Sequence, residues 1–313
     1  MACCSQMVRV AAGCLIAAGT VFGSNPAVAA DRYQKPSDVI RVESGLESYY
    51  SEYNFSRTRD ESGLDSGSGY YLFSVPVTIE GRHYLSEAFY LAPYGRVALT
   101  YDFGTRPWNR SYWNNNQIFS GGVKLTTEHS FMNTAEEYVG GVSASLFSEY
   151  QLMTSSFDSS KDPLPDGIAQ QNVKSGLSFW FSHERPIGRG FSIWTESWGE
   201  LAWNTTAFSD RGEDDFLLGT LSSKVGAGVD VGKASFKPYF TVDLVNDFLD
   251  KDWNRVSWFN NVQYGPGIRI QLGRYLPGNV DLYAEYLFVS YFDTPQNLDH
   301  DVKAGIACWF PIF

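Results

Sequence analysis

Charged side chains recur inside stretches that otherwise alternate apolar and polar residues, and that placement is where chemistry first shows in this sequence. On an extended strand Val97, Leu99, Tyr101 and Phe103 share one face, while Arg96, Ala98, Thr100 and Asp102 share the other. Val242, Leu244 and Phe248 oppose Asp243 and Asp247 in the same way. The alternation also sets Lys124, Glu149 and Lys174, and later Arg269, Glu285 and Lys303, on polar faces. Eight positions are thus expected on one continuous surface: Asp102, Lys124, Glu149, Lys174, Asp247, Arg269, Glu285 and Lys303. If the opposite faces meet hydrocarbon, an outward Arg or Lys near the midplane would cost roughly 2–4 kcal/mol, so all eight are expected to point inward. Charges of both signs along a water-filled lumen orient passing solutes. The same charges paired across a filled interior would brace the walls instead. Both readings stay open on sequence.

Other clusters are weaker. Trp108-Asn109-Arg110 recurs as Trp253-Asn254-Arg255. Indole, amide and guanidinium can stack on and hydrogen-bond to a sugar, but Trp also belongs at membrane interfaces and Asn with Arg is ordinary loop chemistry. Asp299-His300-Asp301 offers two carboxylates on one strand face, either a weak cation site or a solvated loop end. No nucleophile elbow, phosphate loop or His-Glu-x-x-His helix is present, and His83, His129, His183 and His300 are isolated. The expectation is therefore a protein that is not an enzyme, without cofactor or metal.

The elements that must position these groups are strands. Aromatics make up 16% of the 313 residues, a composition that suits a sheet with aromatic girdles. Mean hydropathy is only −0.23, and beyond the N-terminal segment no run approaches the roughly 18 apolar residues of a membrane helix. A net charge of −11 disfavours nucleic acid as a partner. Strands are expected near 38–56, 69–79, 86–103, 113–127, 139–157, 172–185, 191–208, 215–231, 235–249, 257–272, 280–293 and 301–313, broken by clusters such as Pro163-Leu164-Pro165-Asp166-Gly167 and Pro277-Gly278-Asn279. Residues 1–30 read as a cleaved signal peptide: Arg9, an apolar stretch Val10–Phe22, then Ala27-Val28-Ala29-Ala30. Ala12-Gly13-Cys14 permits a lipoprotein reading that leaves almost no apolar segment. Cleavage after residue 30 leaves Cys308 alone, so no disulfide framework is expected.

The chain also matches itself. Pro93–Arg110 aligns without a gap on Pro238–Arg255, and Trp113, Gly122 and Lys124 continue onto Trp258, Gly267 and Arg269. Leu146–Tyr150 pairs with Leu282–Tyr286, and Val173–Leu177 with Val302–Ile306; each of the last two reaches Trp-Phe. Glu47-Ser48 is expected to match Glu196-Ser197. Six strands followed by six similar ones, about 38–185 and 191–313, give an all-β, transmembrane, antiparallel up-and-down barrel of about twelve strands. The 128–138 connection, longer than a tight turn, leaves ten or fourteen open.

Signal, alternation and terminal Phe313 resemble bacterial outer-membrane β-barrel proteins over the whole mature chain. Pro311, Trp309, Ala307 and Gly305 depart from the usual apolar alternation before the final Phe. The resemblance implies the cell outer membrane, with its lipid and the barrel-assembly machinery as partners, and leaves the oligomeric state open. The Trp-Asn-Asn-Gly blocks are faintly similar to the C-terminal barrels of exopolysaccharide-export and phage-adsorption outer-membrane proteins. That similarity implies a channel or secretion barrel for a polar molecule, with polysaccharide a candidate. A non-conducting receptor, adhesin or structural barrel is the alternative, and an outer-membrane enzyme the third.

Overall fold

The computed structural model describes residues 37–51, 70–103, 116–155, 170–206, 215–249, 260–272, 279–292 and 298–311. All belong to the compact unit Lys35–Phe313. The expected signal segment, both Trp-Asn-Arg segments and Phe313 lie outside the described residues. Twelve strands form: β1 (Val39–Ser51), β2 (Tyr70–Tyr84), β3 (Phe89–Asp102), β4 (Asn116–Met132), β5 (Tyr138–Ser155), β6 (Gln170–Gly188), β7 (Phe191–Asn204), β8 (Phe216–Val231), β9 (Ala234–Asp247), β10 (Asn260–Gln271), β11 (Asn279–Tyr291) and β12 (Leu298–Pro311). Each pairs antiparallel with its neighbours in sequence, and β12 closes onto β1, so the sheet is a closed barrel. No helix occurs among the described residues.

One end of the barrel carries tight turns. Arg189 and Gly190, with φ of 53° and 77°, form the two-residue β6–β7 turn. Such left-handed pairs match the twist of flanking strands. Between β4 and β5 the Asn133 side-chain oxygen accepts from the backbone N–H of Ala135 and Glu137 at 2.8 and 2.9 Å, and Glu136 takes φ 61°. This corrects the long connection expected at 128–138: β4 runs on to Met132, leaving a turn of 133–137. Likewise β2 extends to Tyr84 rather than 79, and the β2–β3 turn is 85–88. The connections 52–69, 103–115, 156–169, 205–215 and 248–259 lie at the other end, called here the loop end.

The outer face is apolar around the wall. Ile40, Val77, Leu91, Phe119, Leu146, Leu177, Ile193, Val225, Phe240, Ile268 and Leu282, one on each strand from β1 to β11, are exposed. Water does not tolerate an apolar surface of that extent, whereas hydrocarbon does. A closed barrel satisfies every ladder hydrogen bond internally, as a membrane-spanning sheet must. Aromatic pairs such as Tyr50–Tyr71, Tyr101–Phe103 and Tyr286–Phe288 gather on this face near the loop end, where interfacial girdles stand.

The matched blocks fall on strands six apart, and their ladders share one register. Tyr94↔Gly122, Gly122↔Glu149 and Glu149↔Lys174 recur as Tyr239↔Gly267, Gly267↔Glu285 and Glu285↔Lys303. Leu72↔Asp102 recurs as Leu218↔Asp247. One expected pairing changes. Gly176 faces Ala202 and its counterpart Gly305 faces Tyr49, so Glu43 and Ser44, not Glu47 and Ser48, stand where Glu196 and Ser197 do. Glu47 is the counterpart of Glu200.

Candidate functional site

Side chains of strands that are not neighbours can touch only inside a closed barrel, and such contacts identify the inner wall. Tyr94 on β3 donates to Glu149 on β5 at 2.9 Å, passing over Gly122 of the strand between them. Tyr239 on β9 donates to Glu285 on β11 at 2.6 Å over Gly267. Gly267 is required there: a Cβ would lie 2.6 Å from the Tyr239 ring. Two Tyr–Gly–Glu rows therefore stand on the wall, six strands apart.

Ion pairs surround each row. Lys124 binds Glu80 at 2.5 Å, and Arg82 binds the other oxygen of the same carboxylate at 2.5 Å. Arg82 also lies 4.6 Å over the Tyr90 ring. In the second half Lys224 reaches Glu285 at 2.9 Å, and Lys237 reaches Glu184 at 2.6 Å. Arg269 takes Glu196 at 3.0 Å and Asp281 at 3.6 Å while lying over the Trp194 and Tyr239 rings. Lys174 pairs with Glu200 at 2.7 Å. These partners are at most three strands apart, so the network follows the wall instead of crossing the interior.

Of the eight residues singled out by alternation, Lys124, Glu149, Lys174, Arg269, Glu285 and Lys303 lie on this inner wall, bonded mainly to residues outside that set. Lys303 donates to Gln263 at 3.1 Å and stands 3.9 Å from Asp301. Asp247, at the loop end of β9, is buried, and its carboxylate accepts from the Leu249 N–H at 3.1 Å. Asp102 ends β3, and its side chain lies outside the described ones. Glu149 and Lys174 are ladder partners, but their side chains turn elsewhere: Glu149 accepts from Tyr94 and from Gln151 at 2.7 Å. The partners Glu80, Glu196 and Lys224 were missed because barrel curvature, not spacing along a strand, brings them near, and Glu200 and Asp281 because only ladder register sets them beside Lys174 and Arg269.

The inner wall is not uniform along the axis. Nearest the loops Ser51, Asn116, Asn172, Asn204, Asn261 and Asp301 are buried. Asn172 there donates to Gln151 and Asn204, both at 2.9 Å, and Ser51 donates to Asp301 at 2.9 Å. In the Asp299-His300-Asp301 cluster, Asp301 is buried and accepts from the Ser51 hydroxyl, while His300 faces outward, stacked 5.9 Å from Tyr286. Among the described residues no group of three or more His, Cys, Asp or Glu is arranged for a metal. Further toward the turns the inward residues Glu47, Arg96, Trp180 and Trp198 are exposed, so water reaches this part of the wall.

A closed, membrane-type barrel with a charged inner wall defines the class. No protein-family model matches the chain, and a search of curated proteins finds no match. Among solved structures, an outer membrane channel from Pseudomonas putida F1 is similar at 9% identity, with 91% of this chain and 100% of that one covered and a TM-score of 0.44. The β domain of the Bordetella autotransporter BrkA is similar at 12% identity, with 86% and 98% covered and a TM-score of 0.40. The translocator domain of the autotransporter NalP from Neisseria meningitidis gives 12% identity, 97% and 96% covered, and 0.34.

Proposed function

We propose that this chain is an outer-membrane channel or secretion barrel that passes a polar molecule, with carbohydrate the favoured class, and that it performs no catalytic step itself. The carrying observation is the division of labour on the inner wall. Most charges are held in pairs along the wall, while Arg96 and Glu47 stay exposed to the lumen. A filled interior would have covered these two as well, and Arg96 removed from water without a partner would cost roughly several kcal/mol. Cell outer-membrane lipid would cover the apolar face, and the barrel-assembly machinery is the expected partner in insertion. The recurring register is read as a six-plus-six duplication.

The test is planar-bilayer recording of the purified barrel. Arg96→Glu reverses a charge outside the paired network, so it should leave folding intact and shift the reversal potential toward cations. The shift should shrink as salt rises, since screening shortens the reach of a charge to about 10 Å at 0.1 M. Absence of conductance in the unaltered protein would overturn the channel and favour the non-conducting receptor, adhesin or structural barrel.

A further inference from the structure

Two tryptophans stand where neither packing nor lipid accounts for them. Trp180 on β6 and Trp198 on β7 are ladder partners. Both lie on the inner wall, since Glu184 and Glu196, in step with them along the same strands, reach β9 and β10. They are 37% and 47% exposed. An outward indole such as Trp203 gains from hydrocarbon or the interface; an inward one facing water does not. The corresponding place at the β12–β1 seam carries one inward tryptophan in place of two, Trp309, which is 54% exposed. There Trp309 lies over Gly45, whose added Cβ would be 2.7 Å from the indole. At β6–β7 the counterpart of that glycine is Trp198, so two rings line the lumen side by side.

Their surroundings select the ligand. Glu196 and Glu200 flank Trp198 along β7, Ser178 and Ser182 flank Trp180 along β6, and Ser222 faces Trp198 from β8. Both carboxylates are already neutralised, Glu196 by Arg269 at 3.0 Å and Glu200 by Lys174 at 2.7 Å. The rim of the two indoles therefore offers donors and acceptors with little net charge. Indole faces also attract organic cations, but a cation site gains most from carboxylates that lack partners. A sugar ring fits better: its C–H face lies against an indole, and each hydroxyl both donates and accepts. We infer that Trp180 and Trp198 form a stacking subsite for a neutral saccharide within the lumen, an inference that rests on the channel reading and narrows its solute.

The experiment measures binding of a linear glucose hexasaccharide by calorimetry, in a detergent without sugar headgroups, and in parallel by interruption of single-channel current. The hexasaccharide should bind and block. Trp180→Ala and Trp198→Ala should each weaken binding roughly tenfold, the loss of one stacking face. Trp180→Phe should retain most of it, and outward Trp203→Ala should change nothing. Trp198→Gly copies the other seam, where a tryptophan already lies over glycine, and should fold and lose the sugar even if an alanine variant does not fold. No binding by the unaltered barrel, unchanged binding in Trp198→Gly, or binding of tetramethylammonium in place of the sugar would overturn the subsite. Calorimetric binding without conductance would overturn only the channel; conductance without sugar binding would overturn only the subsite.

Discussion

The row Tyr94–Gly122–Glu149 and the row Tyr239–Gly267–Glu285 are built alike but wired differently. In the first half the basic residue opposite the row, Lys124, turns to Glu80 on β2, which Arg82 also holds. By register the counterpart of Glu80 is Gly226. That glycine makes room for the Trp194 indole, whose N–H donates to the Ala227 carbonyl at 3.2 Å. Lacking a carboxylate there, Arg269 reaches to Glu196 on β7, and Lys224, the counterpart of Thr78, supplies the cation for Glu285. The difference separates two layers of the design. Ladder register and the Tyr-to-Glu hydrogen bond reaching past a glycine are short-range, and they recur. Ion pairs need only an opposite charge within reach of a long side chain, and they are exchanged freely.

The largest expected break in this comparison is Arg269→Met against Lys124→Met. Arg269, 11% exposed at its side chain, serves two carboxylates, so its loss should cost roughly 3–5 kcal/mol. Glu80 keeps Arg82 when Lys124 is removed, and that change should cost about 1 kcal/mol. Urea unfolding of the barrel in lipid vesicles measures both, and equal costs would mean that the halves are not wired as described.

Next in size is Gly267→Ala, which forces the Tyr239 ring off its seat and should destabilise by about 1–3 kcal/mol. A double-mutant cycle with Tyr239→Ala checks the cause. If the ring is the obstacle, Gly267→Ala becomes nearly neutral once the ring is gone.

The smallest effect is expected from Tyr94→Phe and Tyr239→Phe, at about 1 kcal/mol each. Glu149 keeps Gln151 and Glu285 keeps Lys224 when the phenol oxygen is removed. A much larger value for one of them, read from the temperature at which the folded band shifts on gels, would show that the rows are not equivalent.

Alternation made the strand count and the inward side of Lys124, Glu149, Arg269 and Glu285 legible, because a one-residue slip would send a charge into lipid. The same signal fades at the turn end. Glu128, His129 and Ser130 are polar on both faces and read as a connection, yet they are strand: beyond the hydrocarbon, the outer face has no need to be apolar. Glu43-Ser44 was mistaken for Glu47-Ser48 because two Glu-Ser pairs lie four residues apart, and only the ladder to β12 distinguishes them. The partners Glu80, Glu196 and Lys224 were invisible for a different reason. Contacts between strands two or three apart depend on curvature, which no single strand encodes.

Closure of β1 on β12 also has a consequence in time. The ladder joins Glu43–Ser51 to Lys303–Pro311, and the Ser51–Asp301 bond links groups 250 residues apart in the chain. Every other ladder can zip between neighbours soon after its second strand emerges, but this one must wait for the last. Until it forms, the sheet has two open edges able to recruit the wrong strand. Pairings so distant in sequence are slow to find. The vulnerable period of this molecule is therefore the interval between finishing its eleventh ladder and making its twelfth.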